Sequence, residues 1–161
     1  MKIVYCDLDG VLFDFNKKLN QIFSGVIPTN MDTLWSVLSQ HPNLYRHLEL
    51  YEGALDFWQS LNHLSLGYGF DICILTAIPR HSTMPLAAED KQAAVIEHFG
   101  NVDFKVGPYA KDKKYHARSH DILIDDKLQN ITDWVSKDGL AIHHLDFDQT
   151  LFKLKRILNN A

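Results

Sequence analysis

Two aspartates stand two apart in Asp7-Leu8-Asp9, directly after the apolar run Ile3-Val4-Tyr5-Cys6, and Gly10-Val11 follows them. An adjacent acidic pair closes another apolar run, Ile122-Leu123-Ile124-Asp125-Asp126. A hydroxyl ends a third run in Ile74-Leu75-Thr76-Ala77, and Lys111, Lys113 and Lys114 share one charged segment. Paired carboxylates are suited to nucleophilic and general acid–base work, and a lysine with a hydroxyl can hold an oxyanion. Four carboxylates converging on one crevice would repel one another without a counter-ion. A hard divalent cation with oxygen ligands, Mg²⁺ above all, answers that need.

Other candidates carry less. Asp146-Phe147-Asp148-Gln149-Thr150 also spells DxDxT, but no Thr, Lys or acidic pair follows it in order, and Asp148 is placed to cap a helix. His143-His144 lacks a third ligand at suitable spacing, and Gly67-x-Gly69 precedes a strand instead of following one. There is no P-loop, which argues against a nucleoside kinase.

The elements that must position these residues follow from periodicity. Five continuous apolar runs read as strands covered on both faces: 2–6, 70–75, 103–106, 121–124 and 140–143. Helical spacing separates most of them: Leu86, Ala93, Ile96 and Phe99 within 85–99, Ile131, Trp134 and Val135 before Gly139, and Leu151, Leu154, Ile157 and Leu158 at the end. Alternating strand and helix predicts a three-layer, doubly wound, Rossmann-like α/β fold with a parallel sheet. More than sixty residues separate the first two strands, where a crossover needs only a dozen or more. Phe15, Leu19, Ile22 and Phe23, then Leu34, Trp35 and Leu38, then Leu44, Leu48 and Tyr51 read as helical stripes there. The expected organisation is a core of residues 1–13 and 52–161 with a small helical cap, residues 14–51, inserted after the first strand.

The chain's 161 residues suffice for one core, and a formal charge of −4 without a basic run argues against a polynucleotide groove. No apolar run approaches the roughly 18 residues of a membrane span. The first strand has no signal-peptide form, and Cys6 and Cys73 lie in apolar runs without metal-ligand spacing. Two buried thiols in a reducing cytoplasm are expected.

The ordered set Asp7-x-Asp9-Gly10-Val11, Thr76, a downstream Lys and Ile124-Asp125-Asp126 resembles the four motifs of the haloacid dehalogenase superfamily. Asp7 through Phe15, Asp112-Lys113, and Asp121 through Lys127 look most like the 5'(3')-deoxyribonucleotidases and their small bacterial and phage relatives. The resemblance implies a Mg²⁺-dependent phosphomonoesterase in which Asp7 is the nucleophile and Asp9 the general acid and base. Thr76, Ala77 and their backbone would hold the phosphoryl group together with Lys113. Ala77 stands where many of those nucleotidases carry Ser. Lys113 is favoured because an Ala, here Ala117, follows the Asp-Lys at the family's distance, and Lys114 stays open. Asp7, the Asp9 backbone carbonyl and Asp126 would ligate Mg²⁺, with Asp125 in support. The implied substrate is a small phosphomonoester, a nucleoside monophosphate and foremost a deoxyribonucleotide, with a homodimer left open. Another metabolite phosphatase and a non-catalytic binding module on the same fold are the alternatives. Phe13 and Tyr45 are expected to flank the base, since Tyr45 lies off the Leu44, Leu48, Tyr51 stripe, whereas Phe15 and Phe23 are expected in the core.

Overall fold

A computed structural model describes residues 2–79 and 84–160. Five strands, β1 (Ile3–Cys6), β2 (Asp71–Thr76), β3 (Asp103–Val106), β4 (Ile122–Asp125) and β5 (Leu140–His143), pair in parallel in the order β3-β2-β1-β4-β5. The expected strands are all present within one residue. The fold is the three-layer α/β arrangement that the alternation implied.

Strand periodicity builds the layers, because successive side chains point to opposite faces. Val4, Cys6, Ile74, Ile122, Ile124 and Ile142 belong to the larger core. They pack with α3 (Ala54–Tyr68), α4 (Ala87–Phe99) and α6 (Phe147–Asn159) through Phe57, Trp58, Leu61, Val95, Leu154 and Leu158. Tyr5, Cys73, Leu75 and Leu123 make a second cluster around Trp134 of α5 (Leu128–Val135). Both cysteines are buried free thiols.

The long connection carries α1 (Phe15–Ile22) and α2 (Met31–Leu38). Its ends meet: Asp14 donates to the Glu49 carbonyl at 2.8 Å and Tyr51 to that of Leu12 at 2.9 Å. Leu19, Leu34, Leu38, Leu44 and Tyr45 join the larger core, so the excursion leaves and returns at one place and packs on the sheet layer.

Three local expectations are corrected. The stripe from Leu44 to Tyr51 forms only a 3-10 turn, Leu44–His47, opened by Asn43 in the left-handed region. Asp146, not Asp148, caps α6, its carboxylate accepting from the Gln149 N–H at 2.8 Å. In α4 the buried face is Ala87, Lys91, Ala94 and Val95, while Leu86 and Ile96 are exposed. Among the described residues no helix is long and apolar enough to cross a membrane.

Trp134 is fully buried and meets Tyr5 edge-on at 5.2 Å, and its indole N–H has no partner. Its contribution is therefore packing. Trp134→Ala should cost about 3–5 kcal/mol and lower the thermal midpoint on the order of 10 °C, read by circular dichroism. A fall under about 3 °C would show that this layer collapses around the gap.

Candidate active site

From β1 the sheet runs one way to β2 and β3 and the other way to β4 and β5. Loops leaving the carboxyl ends of such neighbours diverge and open a crevice. Asp7 enters it from β1, its N–H bonded to the Ile124 carbonyl at 3.0 Å, and Asp125 ends β4 beside it. The chain then wraps tightly, with Val11, Leu12 and Phe13 all donating to the Leu8 carbonyl. Gly10 sits at φ +89°, and a Cβ there would run into the Asp126 carboxylate. Only glycine lets the two acidic loops approach this closely.

Lys113, from the 3-10 segment Ala110–His116, reaches Asp7 Oδ1 at 2.8 Å and Asp125 Oδ2 at 2.7 Å, and all three residues are buried. Asp125 is saturated: Lys127 N–H at 2.9 Å and Asn130 Nδ2 at 3.0 Å complete its contacts. Asp7 Oδ1 also accepts from the Leu8 N–H at 2.8 Å, and neither contact uses Oδ2. Burial alone would lower the Lys113 pKa, but Asp7 and Asp125 hold it above the ordinary lysine range. Asp125 is pushed up by burial and by Asp7, against the pull of Lys113. Lys114 lies apart, half-buried, 4.0 Å from Asp133.

Thr76 ends β2 fully buried, and its hydroxyl lies 3.1 Å from Nζ of Lys91. Lys91 was not expected. It reaches from α4 to Asp9 Oδ2 at 2.5 Å and the Ala77 carbonyl at 2.6 Å. The signal was present: a lysine four residues after Ala87 and three and four before Ala94 and Val95, on the face the helix buries. The apolar stripe read from Leu86, Ala93 and Ile96 pointed the helix the other way.

Oxygens of Asp7, Asp125 and Asp126 all lie within 4.8 Å of one another. Asp126 Oδ1 is buried without a partner, and burial, with the charges of Asp7 and Asp125, pushes the Asp126 carboxyl up to about 6. Four carboxylates, Asp7, Asp9, Asp125 and Asp126, face two ammoniums, Lys91 and Lys113. The orphaned oxygen and the all-oxygen donor set fit Mg²⁺.

Beside the carboxylates opens a cleft of about 580 Å³ whose lining includes Asp9, Phe15, Trp35, Tyr45, Tyr109 and Lys127. Phe13 is not part of it: the ring is buried edge-on against His98 and Phe99. Tyr45 borders the cleft, but its ring is taken up by Phe15, stacked at 5.8 Å, and by the Lys91 ammonium at 4.4 Å. Trp35, half-buried, and Tyr109, exposed, offer open aromatic surface instead, and Phe15 adds the face that Tyr45 leaves free. A larger groove of about 880 Å³ follows the β5 edge and is lined by none of the four carboxylates. His143, on that edge, meets the Asp126 carbonyl at 2.9 Å, and His144 pairs with Thr150.

No family model matches the chain, and no curated protein matches it in sequence. Among solved structures it is similar to a hydrolase from Streptococcus pneumoniae TIGR4, at 15% identity and a TM-score of 0.50 over 99% of this chain and 100% of that one. It is also similar to D,D-heptose 1,7-bisphosphate phosphatase from Burkholderia thailandensis, at 14% identity and a TM-score of 0.49 over 95% of this chain and 85% of that one. An uncharacterized protein from Corynebacterium glutamicum ATCC 13032 shows 13% identity and a TM-score of 0.49 over 99% of this chain and 96% of that one. The Streptococcus likeness supports the fold. The chemistry rests on the site itself.

Removing the like-charge crowding should stabilise the metal-free protein. Asp126→Asn is expected to raise its thermal midpoint by a few degrees, at about 2–4 °C per kcal/mol for this size. Mg²⁺ should raise the midpoint of the native chain but not of that variant, followed by scanning fluorimetry. A Mg²⁺ shift retained in Asp126→Asn would remove Asp126 from the metal site.

Proposed function

We propose that the chain is a Mg²⁺-dependent phosphomonoesterase of the haloacid dehalogenase type that hydrolyses nucleoside monophosphates, foremost deoxyribonucleotides. The observation that carries this reading is the Asp7 carboxylate. Its Oδ1 is shielded by Lys113, its Oδ2 is left out of those contacts, and it neighbours Asp126 with an unpartnered oxygen. A carboxylate attacks a phosphate dianion only where the surrounding charge is offset.

Lys113 has one N–H not committed to Asp7 or Asp125, and that donor and the Thr76 hydroxyl would hold phosphoryl oxygens. Asp7, Asp126 and the Asp9 carbonyl would hold Mg²⁺, which when bound supplies charge neutralisation between carboxylates and phosphoryl group. Asp7 attacks phosphorus, the ester P–O bond breaks, and Asp9 gives its proton to the leaving oxygen. The alcohol departs, and Asp9 then takes a proton from a water whose oxygen attacks the aspartyl-phosphate, releasing Asp7 and inorganic phosphate. Residues 14–51 act as the cap over this chemistry, contributing Phe15 and Trp35 to the cleft. Flat aromatic surface beside a phosphate subsite favours a nucleobase, whose stacking is worth about 1–3 kcal/mol in single-strand binding proteins. The buried free thiols support a reducing, cytoplasmic setting.

Phosphate release from p-nitrophenyl phosphate should require Mg²⁺ and stop with EDTA, and Asp7→Asn should lower it by about 10³-fold or more. Near-normal turnover in that variant would overturn the covalent mechanism. A screen of ribo- and deoxyribonucleoside monophosphates tests the substrate. Trp35→Ala should raise KM for the preferred nucleotide by roughly 5–150-fold, while glycerol phosphate, which has no base, changes under about twofold. Hydrolysis of p-nitrophenyl phosphate without any nucleotide would keep the phosphatase and reject the nucleotide.

A further inference from the structure

The two buried lysines of the site are not equivalent. An ammonium has three donors. Lys113 spends two, on Asp7 and Asp125. Lys91 spends all three, on Asp9 Oδ2 at 2.5 Å, the Ala77 carbonyl at 2.6 Å and Thr76 Oγ1 at 3.1 Å. The Tyr45 ring lies 4.4 Å away against the same ammonium, and the residue is 3% exposed. No donor of Lys91 is left for a phosphoryl oxygen, so it is no second phosphate ligand.

What it holds is one half of a carboxyl. Asp9 borders the cleft with its side chain 24% exposed, Oδ2 is taken by Lys91, and Oδ1 is buried without a partner. A carboxyl free to rotate would present either oxygen in many directions. An ammonium that is itself held by the Ala77 carbonyl and Thr76 Oγ1 anchors Oδ2 and removes this freedom, and orientation of this kind contributes substantially to rate.

We propose that Lys91 is a positioning residue for Asp9. By fixing Oδ2 it sets the direction in which the Asp9 carboxyl faces the leaving group of a bound ester. The contact with Tyr45 joins this anchor to the inserted segment, so the same lysine ties the cleft wall to the carboxyl. The proposal rests on the phosphatase reading above, in which Asp9 protonates the leaving oxygen.

The test separates a positioning role from a structural one by leaving group. p-Nitrophenolate departs with little help, whereas an alkoxide needs its proton. Lys91→Met keeps the stem and removes charge and donors. With Mg²⁺, its kcat on glycerol phosphate should fall at least tenfold further than its kcat on p-nitrophenyl phosphate. KM for both, and inhibition by inorganic phosphate, should stay within about threefold. Equal loss on the two esters, or a raised KM with weakened phosphate inhibition, would overturn the role. If Lys91→Met does not fold, Asp9→Asn/Lys91→Met strands no charge and decides the matter against Asp9→Asn. On p-nitrophenyl phosphate, a further loss under threefold supports the proposal. A further tenfold loss, or an unfolded double variant, overturns it, because Lys91 would then act on something other than Asp9. Absence of phosphate release by the wild-type chain from either ester would instead overturn the phosphatase reading, and this role with it.

Discussion

Two buried carboxylates, Asp7 and Asp125, share one buried ammonium, Lys113, at the place where the sheet changes direction. Taking such charges out of water costs several kcal/mol per ion, repaid only where the geometry is good and the remaining lone pairs are satisfied. Asp125 meets that condition through Asn130 and the Lys127 N–H, which binds the start of α5 to the end of β4. Asp7 meets it partly, through Leu8 and Lys113. That inequality separates a saturated acid with a structural part from one with an oxygen to spare.

The remaining architecture follows from keeping these groups together. Gly10 has no side chain because the Asp126 carboxylate occupies the space beside it. The level pairing of Cys6 with Ile74 and Ile124 brings the ends of β1, β2 and β4 to one edge of the sheet. The 3-10 segment that carries Lys113 and the helix that carries Lys91 approach from β3 and β2, so each lysine arrives on a different crossover. Burial first, and then the charges of Asp7 and Asp125, push the Asp126 carboxyl up at the meeting point of the two acidic loops.

The inserted segment is bound into this arrangement and not merely attached to it. Tyr45 touches both Phe15, its stacking partner on α1, and the Lys91 ammonium. Leu34, Leu38 and Leu44 are buried with the sheet's own apolar residues in one core. One aromatic ring, Tyr45, and one lysine, Lys91, thus stand between the cleft wall and Asp9.

The positions of the five strands, the parallel sheet, the long excursion after β1 and the convergence of Asp7, Asp9, Thr76 and Asp125-Asp126 were legible in the chain itself. Continuous apolar runs with acids at their ends have one consistent placement in a doubly wound sheet. Helix orientation was less legible, because Ala87, Ala94 and Val95 carry less hydrophobic signal than the exposed Leu86 and Ile96, and a lysine on the buried face hid it further. Aromatic roles were equally beyond one-dimensional reach: Phe13, Phe15, Trp35 and Tyr45 have similar character, and only packing decided which rings meet neighbours and which border the cleft. The sequence determined which groups gather at the strand ends, since that depends on local pattern. The tertiary structure alone decided that Lys113 bridges the acids, that Asp126 keeps a bare oxygen and that Lys91 holds Asp9, since those are contacts between elements far apart in the chain.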